Sequence, residues 1–303
     1  MGLWPFSKEK KPPVTLSKGY YLTVLSSKPT LPPLLQILEP KGEGGAVVGM
    51  GAPLSDQASK DSLQKPMVRG IYALASLDRK TVLRLMVMPR DEAGFSPEAV
   101  ERSPLSSHLP QEILARIRGT WMVLQFSFES YDPQTYPALD FLWNLARRTA
   151  ELTDGVIADP LAQRYLLPDQ AKSMPPDDSP VDAALHVSVR MFEDREGKLT
   201  CHTCGLAKFD LPELEMTNVS LASAQVAQAF LLSASQLQLL GRTLRVGEVF
   251  GSRKAPFQIA EGGHDLARWE GIACYDLLPR NNANTDAALK AWADGLEADL
   301  DEG

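Results

Sequence analysis

The sequence predicts an α+β fold: two sandwich-like units, each a largely antiparallel sheet packed by a long helix. Three observations carry this. Short stretches of alternating, β-branched and aromatic residues recur through both halves of the chain. Two segments of helical period stand among them, near 137–152 and 221–240. Between the halves runs a segment with Pro168, Pro175, Pro176 and Pro180 and the pair Asp177-Asp178, which reads as a linker over 168–180. Strand period is two and helix period 3.6, so the two patterns are distinguishable from sequence alone.

Composition bounds the class. With 303 residues, 44% hydrophobic and 23% charged, the chain suits one large or two smaller globular domains. A net charge of -7 without a dense basic stripe argues against nucleic acid, whose phosphates need a basic face. Three cysteines make no disulfide framework, and a reducing cytoplasm is the compartment expected. No signal-peptide pattern is read, and residues 217–240, though uncharged, carry too many Gln and Ser to span a bilayer.

The chain divides into an arm (1–16), a first unit (17–167), the linker, a second unit (181–280) and an acidic C-terminal segment (281–303). In the arm, Leu3, Trp4 and Phe6 precede Lys8, Lys10 and Lys11. That is the composition of an interfacial membrane anchor or a docking peptide. Residues 19–27 read as a strand and 29–51 as a loop punctuated by Pro and Gly. Its glycines fail the phosphate-loop test, since no Gly-Lys-Ser/Thr follows. Residues 67–77 and 81–88 read as a hairpin turned at Asp78-Arg79-Lys80. A polar loop over 91–107 precedes a short helix at 110–117 that stops near Gly119, and 120–128 reads as a strand.

The helix at 137–152 presents Leu139, Leu142, Trp143, Ala146 and Ala150 on one face. Asp154-Gly155 is its expected stop, with Gly in the left-handed conformation. A short buried strand over 155–160 follows. In the second unit, 181–192 and 198–204 read as strands around a turn at 193–197. In the helix at 221–240, Val226, Ala229, Phe230, Ser233, Leu237 and Leu240 lie on one side, and because the other side carries Ser and Gln rather than charge, the helix is expected to be covered on most faces. Residues 246–250, 257–260 and 267–278 read as closing strands. Each half thus runs strands, long helix, short strand, which suggests a duplication, although no residue-level repeat accompanies it. In the last segment, Asn284 or Thr285 caps a helix whose stripe Leu289, Trp292, Leu296 and Leu300 needs a surface: its own unit, a protein partner or a second copy.

Chemistry concentrates at Cys201-His202-Thr203-Cys204. A zinc site could draw on Cys201, Cys204, His264 and Cys274, though no second Cys-x-x-Cys knuckle supports it. A redox pair normally opens a helix; this one ends a strand, where Cys201 and Cys204 point to opposite faces. Glu213 and Glu215 share a strand face and read as charges on a solvated edge. No complete catalytic motif is present, so no catalytic residue is assigned. The expected function is a non-enzymatic interaction or accessory protein. The alternatives are a metal- or thiol-dependent enzyme centred on Cys201 and Cys204, and a protein attached to a membrane surface through its arm.

The run His202-Thr203-x-Gly205-Leu206-x-x-Phe209-x-Leu211-Pro212-Glu213-Leu214-Glu215 resembles a motif of uncharacterised bacterial cytoplasmic α+β domains. There a His-Thr, Gly-Leu, Phe-Gly-x-Pro-Glu-Leu run ends a strand and leads to the long helix; here Asp210 stands in place of a Gly. Asp154-Gly155-Val156-Ile157-x-Asp159-Pro160 is similar to a second motif of that group. The resemblance implies no activity. It implies a structural turn rather than a metal site, because the first Cys lies outside the pattern.

Overall fold

The computed structural model describes residues 14–17, 19–39, 48–54, 60–129, 135–171, 181–263, 269, 271–280 and 284–301, with side chains described for all of these except 60, 61, 135–137 and 296–301. They fall into two compact units, within 15–171 and within 181–301. The fold is α+β, built on two largely antiparallel sheets. Among the described residues no helix is long and apolar enough to cross a membrane.

The first unit is a seven-stranded sheet. Its strands are β1 (Tyr21–Ser26), β2 (Gly49–Pro53), β3 (Gly70–Ser76), β4 (Val82–Pro89), β5 (Met122–Phe128), β6 (Val156–Asp159) and β7 (Arg164–Leu166). They lie in the order β2-β3-β4-β5-β1-β6-β7, with every neighbouring pair antiparallel. Period-two alternation sets the faces: Tyr72 and Leu74, Leu83 and Leu85, Phe126 and Leu22 are buried on one side. Against that side lie α1 (Leu34–Leu38) and α4 (Thr135–Thr153). The expected face of α4 is the one it buries, from Leu139 and Leu142 through Trp143, Ala146 and Ala150.

On the opposite side, α2 (Pro97–Arg102) and α3 (Gln111–Arg118) close one end, packing Val100, Ile113 and Ile117 on Leu25, Val123 and Val156. Among the described residues no helix covers the other end of that side. Register sets Ala73 between Ala52 and Arg84, and Met86 between Ile71 and Gln125. Met50 is 40% exposed there and Ile71 is 42% exposed.

Several local expectations need correction. The loop read over 29–51 contains α1, whose Leu34, Ile37 and Leu38 are buried, and the start of β2. Gly49 and Gly51 are there for close approach: a Cβ on Gly49 would lie 2.6 Å from the Ala75 carbonyl oxygen, and one on Gly51 2.7 Å from Leu34. The loop read over 91–107 contains α2, whose N-cap Ser96 accepts the Ala99 amide at 3.1 Å. Asp154, not Gly155, takes the left-handed conformation after α4, at φ 51°. Gly155 serves contact instead, since a Cβ there would meet the Leu25 carbonyl oxygen at 2.7 Å. Of the linker, 168–171 belong to a turn in which the Gln170 amide donates to the Leu167 carbonyl at 3.0 Å.

The second unit is a six-stranded sheet of β8 (Ser188–Glu193), β9 (Leu199–Cys204), β10 (Glu213–Val219), β11 (Val249–Gly251), β12 (Pro256–Glu261) and β13 (Cys274–Pro279). Its order is β11-β12-β13-β10-β9-β8. Two antiparallel three-stranded halves meet at the parallel pair β10–β13. This order does not repeat that of the first sheet. The strand read from 181 begins only at Ser188: Asp182 caps the single turn α5 (Ala183–His186), accepting the Ala184 amide at 2.9 Å.

Helix α6 (Ala224–Leu239) packs on β8, β9 and β10. It is covered on one side, through Ala227, Phe230, Leu231, Ala234, Ser235, Gln238 and Leu239, and not on most faces as expected: Gln225, Gln228, Ala229, Ser233 and Leu240 are exposed. A helix without a charged face gives the sequence nothing to fix its rotation. Helix α7 (Thr285–Asp301) is capped by Asn284, whose side chain accepts the Ala287 amide at 2.7 Å. It rests on α6, β10 and β13.

Candidate functional site

The turn after β9 is built around one carboxylate. Gly205 sits at φ 127°, and a Cβ there would come within 2.3 Å of the His186 carbonyl oxygen, so only Gly fits. This bend brings two amides round toward the start of β10. Glu213 accepts from the Gly205 amide at 2.7 Å, the Ala207 amide at 3.1 Å and the Thr203 hydroxyl at 2.6 Å. The same hydroxyl accepts the Leu214 amide at 2.8 Å. Lys208, wholly buried, donates its ammonium to the His186 carbonyl at 2.7 Å. Asp210 closes the turn in the left-handed conformation, at φ 53°, a role its short polar side chain tolerates. Burial raises the Glu213 carboxyl above the usual range for Glu, outweighing these hydrogen bonds and the charge of Lys208.

Next to this clamp, register lines up a polar row across four strands. Arg190 on β8 faces His202 on β9, His202 faces Glu215 on β10, and Glu215 faces Asp276 on β13. His202, Glu215 and Asp276 are all buried. The His202 ring stacks on Phe192 at 5.3 Å between centroids and meets Trp269 edge-on at 4.9 Å. The Trp269 indole N–H donates to Glu215 at 3.2 Å. Glu213 and Glu215 therefore lie on a central strand, correcting the solvated-edge reading. Sequence spacing put them on one face, but nothing local announces that β13, some sixty residues later, covers that edge.

The expected metal and thiol residues are dispersed. Cys201, Cys204 and Cys274 are all buried free thiols. Cys201 and Cys204 fall three residues apart on β9, hence on opposite faces. Cys274 pairs with Glu213, so β10 stands between it and Cys204. His264 lies outside the described residues, and among those described no three His, Cys, Asp or Glu side chains form a group suited to a metal ion. Burial pushes the Cys201 thiol up to about 11. It also pushes Cys274 up, aided by the negative Glu215, Asp276 and Glu213. A nucleophilic or redox thiol needs the opposite shift.

The C-terminal stripe is spent in part on its own unit. Leu289 is wholly buried, and Trp292 meets Phe230 edge-on at 5.1 Å. The side chains of Leu296 and Leu300, and the arm residues Leu3, Trp4 and Phe6, lie outside those described. Shallow clefts lie elsewhere among the described residues. One, of about 360 Å³, lies beside α3 and α4 and is lined by Glu112, Arg116, Arg147 and Asp154. Arg116 is already paired there with Glu112 and Asp154, each at 3.0 Å. Another, of about 400 Å³, lies near Lys198, Asn218 and Leu278. Asp286 at its rim is engaged by the amide and hydroxyl of Ser220, both at 2.9 Å. The open sheet face of the first unit had no signal in the sequence, because alternation marks a second face without saying whether a helix covers it.

No known protein family matches the sequence, and no curated protein or solved structure matches the chain.

Proposed function

We propose that this chain is a non-enzymatic cytoplasmic interaction or accessory protein that works by offering a sheet surface to a protein partner. The observation that carries this is the open end of the first sheet. Ile71 and Met50 stand exposed beside Ala52, Ala73 and Met86, and Leu54 and Val68 at the rim are 62% and 68% exposed. Contiguous exposed apolar surface of this kind marks interaction sites. The chemistry-bearing residues of the second unit favour the same reading. Glu213 and Lys208 are committed to holding a turn, and the raised thiols of Cys201 and Cys274 suit packing rather than attack. Kinship with the bacterial domains that share the His-Thr-x-Gly-Leu motif belongs to the same proposal, as does the absence of a zinc or nucleic-acid role.

A photo-activated cross-linking side chain at Ile71, in the full chain within its own cell, tests this. A discrete protein adduct is expected from position 71 and none from exposed Lys290 on α7. Absence of any adduct at 71 would sink the reading.

A further inference from the structure

We draw no further inference here: the strongest candidate, the polar cleft of about 400 Å³ between the end of β10 and the first turn of α7, is a helix N-terminus whose Asn284, Thr285 and Asp286 side chains are engaged within the unit by the Ala287 amide, the Thr217 carbonyl and Ser220, and nothing in the structure points to a ligand there.

Discussion

In the first unit the buried polar side chains, among the described residues, are hydroxyls and one carboxylate: Ser26, Thr81, Thr120, Thr149, Thr153 and Asp159. In the second they include His186, His202, Lys208, Glu213, Glu215 and Asp276. Both units are helices laid on antiparallel strands, so similar architecture is reached with different interiors. The first sheet is held by apolar burial, worth about 25 cal/mol per Å² and indifferent to pH. The centre of the second is held by groups whose burial is favourable only while each has its partner. Apolar cores tolerate exchange of one hydrocarbon for another, whereas a polar centre fixes which strand lies where.

The largest effect expected from this difference follows Glu213→Ala. It strips the acceptor from a buried amide, a partly buried amide and a buried hydroxyl, and at about 1–3 kcal/mol for each orphaned donor the loss is roughly 5 kcal/mol. Hydrogen exchange should show that loss in β9 and β10 while the amides of β4 and β5 keep their protection. Equal loss in both sheets would erase the contrast between the units. Glu213→Gln sharpens it through pH. A carboxyl whose folded-state value is raised stabilises the fold fully below its ordinary value of 4.5 and loses that contribution as pH rises through the folded-state value. Protection of β9 and β10 in the wild type should therefore decline, relative to the Gln variant, as pH climbs from 4.5 toward neutrality. A constant difference between the two would refute the assignment.

Phe126→Ala should cost about 4 kcal/mol, the usual loss for emptying a large aromatic site. Phe126 is wholly buried in the first sheet, so the cost should appear there alone and be the same at every pH. Denaturant unfolding at two pH values checks this. The smallest effect is expected from Asn284→Ala, which removes the cap on α7 for about 1 kcal/mol. Faster exchange confined to the first turn of that helix is the expected signature.

Legibility in the sequence follows the same division. Alternation located the hairpin of β3 and β4, and the apolar stripe of α4 named its buried face, because in both cases a polar side contrasts with an apolar one. Where that contrast is missing, the sequence does not fix the buried face. Helix α6 has Gln and Ser where charge would have marked solvent, and its true face is turned away from Ala229 and Ser233 toward Ala227 and Ser235. Strand β2 reads Gly-Met-Gly-Ala-Pro and lacks strand formers; its glycines answer to neighbours far along the chain. At the candidate site, local punctuation announced the turn at Gly205 and the shared face of Glu213 and Glu215. Their burial depends on pairing with β13, which no local pattern encodes.

That parallel pairing also orders events during synthesis. The meander of β8, β9 and β10 is complete by Val219, but its partner β13 begins at Cys274 and must wait for α6, β11 and β12. Until then β10 is an open edge, the kind of strand on which nascent chains pair wrongly. Glu213 and Glu215 lie along it, charged while solvated. Charge on an unpaired strand disfavours its pairing with another chain, so the same two carboxylates that are the most enclosed acids among the described residues of the finished sheet would protect β10 for as long as β13 is missing.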